Sequence, residues 1–204
     1  MGFLAQTSSF CRYKLLDEVS GEFWQEFPEK LLEHRFREID NTNEERSFGW
    51  VNIDNMLDVN WEQSPPYKGE FAAFALRLDT RRISPAVFKK HFRLAWNDLL
   101  QKKQEQGKKN ISKQEKNDLK ESVKSKLMGY TLPVPAIFDV VWNRDSNCIY
   151  FGSTRQKVKE VFEELFYNSF GLNLNNLTPY YLAGNMLGEK YSNALDNYEP
   201  CVFV

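Results

Sequence analysis

Residues 81–128 set the terms on which this chain can fold. They read RRISPAVFKKHFRLAWNDLLQKKQEQGKKNISKQEKNDLKESVKSKLM, with 14 Lys/Arg and 5 Asp/Glu. The whole chain has 27 Lys/Arg and 28 Asp/Glu, so the remainder keeps 13 and 23. A near-neutral average thus hides a stretch of net +9 set in a remainder of net −10. Local charge decides what a surface attracts, so the segregation bears on function as well as on fold.

The apolar pattern of the stretch is helical. Ser84 and Pro85 form a start signal, Ser as N-cap and Pro at the first helical position. Phe88, Phe92, Trp96, Leu99 and Leu100 make one apolar stripe, and Lys89, Lys90, Arg93, Lys102 and Lys103 lie off it. Gly107 ends this helix. Ser112 with Glu115 three residues later is a capping-box signature that opens a second. Its stripe is thin, Leu119, Val123 and Leu127, while Lys113, Lys116, Lys120 and Lys124 recur at steps of three and four. Lys108 and Lys109 occupy the turn. The pattern predicts a basic helical hairpin, inserted in the chain and projecting with a lysine-rich tip.

On either side the sequence changes character. Phe10 to Leu16 reads as a strand, and Ser20 to Arg35 as an amphipathic helix that Pro28 should kink or divide. Phe36 to Asp40 and Ser47 to Val51 read as short strands around an acidic turn. Lys68 to Asp79 is apolar on both faces, which marks a buried central strand. After the insert, GYTLPVPAIF carries Gly129 and two prolines and reads as an apolar connector in which helix stops. Ile137 to Trp142 and Cys148 to Gly152 flank NRDSN as a β-hairpin, and Thr154 to Phe170 is an amphipathic helix closed by Gly171. LNLNNL is a short extended piece, and Pro179 opens a last helix. The expected class is α+β: a mostly antiparallel sheet with packed helices. Residues 1–80 and 129–204 form the core domain, and 81–128 the insertion.

Several chemistries lack their sequence signatures. There is no phosphate loop, dinucleotide fingerprint, nucleophile elbow or H-E-x-x-H pair. His34 reads as a helix-terminus residue, and His91, among Lys89, Lys90 and Arg93, as a bystander on a basic face. No cofactor, metal or catalytic residue is expected on this reading. One enzymatic alternative stays open. Asp54, Asp58 and Glu62 fall at i, i+4 and i+8, and on a helix would stack three carboxylates. With Asp139 they would suit a metal-dependent nuclease. The plain reading of that row is a solvated acidic face. Three widely spaced cysteines (Cys11, Cys148 and Cys201) form no disulfide framework, and no apolar run reaches membrane-spanning length. A reducing cytoplasmic setting without membrane contact is expected, with no signal peptide or lipidation at the N-terminus.

Lysine at helical spacing with few acids is the footprint of phosphate-backbone binding. The stretch has 11 Lys to 3 Arg. Lysine is a flexible point charge, so that ratio favours binding without sequence preference. The structural alternative is a helix face kept soluble by charge, and a third reading is an interaction hairpin for an acidic protein.

At these residues a resemblance enters. NISKQEKNDLKESVKSKLM, the pair FDVVWN and CIYFG, and TRQKVKEVFEELFYNSFG resemble the RdgC family of bacterial recombination-associated proteins. SFGWV is similar to that family's Gly-Trp segment, and RRISPAVFKKHF to its Pro-opened insert helix. The similarity of ordered blocks runs from about Phe10 to Leu182. It implies a nucleoid-associated, cytoplasmic protein that binds double-stranded DNA without sequence preference. Such a protein closes as a ring-shaped dimer and restrains strand exchange driven by a RecA-type recombinase. It also implies basic tip residues at Lys108, Lys109 and Lys113, and a tip-to-tip homodimer contact at Tyr130 and Leu132. Leu132 stands where the family carries an aromatic. Family members run about a hundred residues longer, the size of a typical module. A monomer or a one-interface dimer is therefore the expectation for this chain.

Overall fold

A computed structural model of the chain describes residues 3, 8–107, 111–188, 196 and 197. Its elements run β1 (Cys11–Leu15), α1 (Gly21–Glu33), β2 (Arg46–Val51), β3 (Tyr67–Lys68), β4 (Phe71–Thr80), α2 (Pro85–Glu105), α3 (Lys113–Tyr130), β5 (Val134–Asn143), β6 (Cys148–Phe151), α4 (Gln156–Phe170), β7 (Leu174–Asn176) and α5 (Pro179–Leu187). Seven strands form one sheet in the order β2-β4-β5-β6-β1-β7, with β3 paired to β4. β1 runs antiparallel to β6 and β7, as β5 does to β6 and β3 to β4. The class is α+β with a mostly antiparallel sheet. No helix among the described residues is long and apolar enough to cross a membrane.

The chain divides into two compact units. The first comprises Met1–Arg35, Gly49–Leu76 and Ile137–Val204, and the second Phe36–Phe48 and Arg77–Ala136. In the first, α1 and α4 pack on each other over an aromatic core. Trp50, Phe27, Phe74, Trp142, Phe162 and Phe166 are all fully buried. Phe162 stacks on Phe151 at 4.1 Å between centroids, and Phe27 on Phe170 at 5.2 Å. Trp50 Nε1 donates to Ser169 Oγ at 2.8 Å, and that hydroxyl donates to Leu165 O at 2.7 Å. The Trp50 indole and the Ser169 hydroxyl are thus joined in a chain, whereas the buried Trp142 indole N–H has no partner among the described residues.

Pro28 does not divide α1, which continues through it to Glu33. A proline has no N–H, so the carbonyl four residues back loses its helical donor. That carbonyl is Trp24 O, and the hydroxyl of Tyr67 donates to it instead. The helix therefore survives its proline by drawing a partner from β3.

The second unit is larger than the 81–128 insert because the insert is fastened to residues 36–48. Arg81, buried, donates from its guanidinium to the carbonyls of Ile39 (2.6 Å), Asp40 (2.8 Å), Thr42 and Glu44 (3.3 Å). Its own N–H donates to Glu45 O at 2.8 Å. These bonds explain why residues 36–40 make no strand: Arg81 claims the carbonyls of 39 and 40 that a sheet would use. Nearby, buried Arg77 and Asp79 form a two-point ion pair at 2.9 and 2.8 Å, with Glu38 at 3.2 Å and the Phe36 ring 4.1 Å from the guanidinium.

Two local expectations shift. α3 runs through Gly129 to Tyr130, and β5 begins at Val134, so most of the expected connector is regular structure. Ser84 precedes α2, but its side chain makes no capping bond; Pro85 alone marks that start. The Ser112 capping box forms in full, with Glu115 N donating to Ser112 Oγ (3.1 Å) and Ser112 N to Glu115 Oε2 (2.9 Å).

Candidate nucleic-acid interface

α2 and α3 form the hairpin. Lys103 pairs with Glu115, and the ammonium of Lys116 sits 5.7 Å from the Trp96 ring centre, so the helices run antiparallel. The seam is lean. No residue of α2 is buried, and α3 buries Val123, Leu127 and Met128. Phe88, Phe92 and Trp96 stack along α2 at 6.0 Å steps, each half-covered.

The cations divide by what they touch. Lys103 and Lys124 are held by carboxylates, Lys103 by Glu115 and Lys124 by Glu45. Lys103, helped by the Ser112 N–H, holds the Glu115 carboxyl down at about 2, and Glu45 raises the Lys124 ammonium. Lys116 is exposed, with its ammonium near the Trp96 ring. Lys89, Lys90, Arg93, Lys102, Lys113 and Lys120 are exposed and make no ion pair among the described residues. Lys126, absent from the sequence-based site, is exposed in the same way. Lys108 and Lys109 lie outside the described residues.

Helical spacing sorts these further. At about 3.6 residues per turn, Lys89 and Arg93 fall on one flank of the α2 stripe. Lys113, Lys120 and Lys124 fall on one flank of the α3 stripe. In an antiparallel pair those two flanks open on the same side. Lys102 and Lys126 fall on the opposite side, and Lys90 points away from the seam. Asp98, Glu105, Asp118 and Glu121 all fall off the shared flank. From Lys113 to Lys124 it spans about 16 Å at 1.5 Å per residue. Among the described residues its Lys124 end is reached by Glu45, through a surface pair of the kind that contributes little, and more weakly by the charge of Glu121.

The acidic row does not assemble. Residues 52–66 form no helix, so Asp54, Asp58 and Glu62 do not stack. Asp58 is buried and accepts from Asn52 Nδ2 (2.9 Å) and from the N–H groups of Asn60 (3.1 Å), Glu62 (3.3 Å) and Gln63 (3.4 Å). Burial pushes its carboxyl up, but these donors outweigh that and hold it below the usual range. Asp54 pairs with Lys68 at 2.8 Å, which lowers its carboxyl, and Glu62 accepts from Asn60 Nδ2 at 3.2 Å. Asp139 accepts from Phe3 N at 2.8 Å. Among the described residues no three His, Cys, Asp or Glu form a group able to hold a metal ion. Asp54, Asp58 and Glu62 are engaged by partners in their own loop or close to it and Asp139 lies on β5, so among the described residues the four do not gather into one cluster.

Tyr130 and Leu132 are 80% and 76% exposed, and Val134, two residues on, is 66% exposed. Cys11 and Cys148 are free thiols on neighbouring strands, and Cys201 lies outside the described residues. No protein-family model and no curated protein matches the chain.

Proposed function

We propose that this protein binds double-stranded DNA without sequence preference, through the shared flank of α2 and α3. The observation that carries the reading is a row of Lys89, Arg93, Lys113 and Lys120 on one side of the hairpin, with no ion pair to neutralise it among the described residues. Unpaired cations at helical spacing release counterions when they meet phosphates, and that release supplies sequence-independent affinity. Lys124 joins when a phosphate displaces Glu45. Among the described residues the carboxylates of the nuclease alternative have local partners and form no cluster, which supports the binding reading over that alternative.

Two consequences belong to the same proposal. Coating duplex DNA in the cytoplasm, at the nucleoid, restrains strand exchange by a RecA-type recombinase, the role the RdgC-like order of blocks implies. Exposed Tyr130 and Leu132 serve as a self-association contact, since apolar side chains this open are costly to leave in water. Sedimentation of the wild type against Leu132→Asp tests that contact, and an unchanged monomer in both removes it.

The central test is fluorescence anisotropy on two duplexes of unrelated sequence across a salt series. If about 6 phosphates are engaged, log K falls with log salt at a slope near −5, alike for both duplexes. Replacing Lys89, Arg93, Lys113 and Lys120 together by Gln should flatten the slope by about 3 to 4. A salt-independent wild type, or a variant that binds unchanged, overturns the proposal.

A further inference from the structure

In the first unit Arg144, which makes no ion pair among the described residues, has a setting unlike that of the hairpin cations. Arg144 follows β5, and its N–H donates to Glu70 O at 3.0 Å, which fixes the start of the turn. Its guanidinium lies 5.0 Å from the Trp24 ring centre and 5.2 Å from that of Tyr67. Both rings are themselves immobilised. Trp24 packs on Trp142 at 4.6 Å, and Tyr67 is tied through its hydroxyl to the Trp24 carbonyl that Pro28 leaves without a donor. The guanidinium therefore lies against two aromatic rings that are themselves held in place.

Its donors are unspent. Nε is buried and has no hydrogen-bond partner among the described residues. The two Nη nitrogens also have none among the described residues, but they are not enclosed. Asp145 is the next residue in the chain and Glu70 is near through its carbonyl; both are exposed, and neither forms an ion pair with Arg144. An arginine carries five N–H donors in a rigid fork that matches two oxygens of an oxyanion. Here two rings lie beside the guanidinium, Nε is buried, and the Nη nitrogens are left to donate to a ligand.

We propose that Arg144, braced by Trp24 and Tyr67, is a phosphate-binding site, taking two phosphate oxygens on its Nη edge. Stacking removes the rotational freedom that a surface arginine gives up on binding, so the site is preorganised. The phosphate comes from a nucleic-acid backbone or from a small phosphorylated molecule. The proposal is independent of the DNA-binding reading, because it rests on one unit and that reading on the other.

The test is NMR of the Trp24 indole N–H, assigned with Trp24→Phe, during titration with inorganic phosphate at ionic strength held constant with chloride. Wild type should give a saturable shift. Arg144→Gln should give none. Arg144→Lys, which keeps the charge and loses the planar fork, should bind about tenfold more weakly. Thermal melts establish that the variants fold, and Arg144→Lys carries the comparison if Arg144→Gln does not. No shift in wild type, or equal shifts in wild type and a folded variant, overturns the site. Repeating the titration with the Lys89, Arg93, Lys113 and Lys120 variant separates the two proposals, since the Trp24 shift should persist there. Competition identifies the source: a duplex that displaces the phosphate names a nucleic-acid backbone. One that does not, where a phosphate monoester does, names a small molecule.

Discussion

Phe27 and Phe92 are both phenylalanines on amphipathic helices, yet they live in different kinds of structure. Phe27 is fully buried in the first unit, with Phe23, Trp24, Phe74, Trp142 and Phe170 around it. Phe92 is half-covered on α2, a helix of 21 residues with none buried. The first unit is held by aromatic burial. The second is held by polar fasteners at defined points: the Arg81 clamp, the Arg77–Asp79 pair and the Ser112 capping box. A surface that must carry many like charges cannot also bury much apolar area, and the hairpin gives up packing to remain cationic.

The sharpest way to break this comparison is truncation of the two rings. Phe27→Ala should cost about 3–5 kcal/mol and Phe92→Ala about 1 kcal/mol in equilibrium urea unfolding. Equal costs would mean that α2 is packed far better than its exposure indicates. Next in size is the clamp. Arg81→Ala leaves four backbone carbonyls without their donor and should cost about 3 kcal/mol. Amide exchange should localise that loss to residues 36–48 and the start of α2. A uniform loss across the first unit would count against fastening at this point. Ser112→Ala should cost about 1 kcal/mol, read as fraying of the first turn of α3.

The smallest effect is a pH response confined to the hairpin. Glu115 is held at about 2, below the ordinary 4.5, by Lys103 and the Ser112 N–H. A carboxyl lowered by folding contributes stability that is complete above its unfolded value and is lost as pH falls through the folded one. The Lys103–Glu115 contact should therefore weaken between about pH 4.5 and pH 2, seen at the Lys103 ammonium by NMR. Glu115→Gln should abolish that titration while leaving the core unchanged.

What the sequence disclosed follows the same division. The hairpin was legible because its determinants are local: Pro85, Gly107 at φ +69 and the Ser112–Glu115 box lie within a few residues of the termini they set. The α4 helix and its Gly171 terminus were legible for the same reason. Residues 36–40 were not, because the arginine that takes their carbonyls lies about forty positions away. The start of β5 at Val134 was hidden by Pro133 and Pro135, which read as loop. Of the site, the lysines were visible as a count and a spacing. Which ones are paired was not, since Glu45 meets Lys124 from a distant segment. Arg144 was invisible in a turn sequence, and only Trp24 and Tyr67, distant in the chain, distinguish it.

Pro28 ties two levels of this molecule together. An alanine there would be the conventional repair for a helix, restoring one amide and one internal bond. That new amide would compete with the Tyr67 hydroxyl for the carbonyl of Trp24. The improved helix would then loosen one of the two rings beside Arg144, so the imperfection in α1 is what keeps a side chain from another element in register with Arg144.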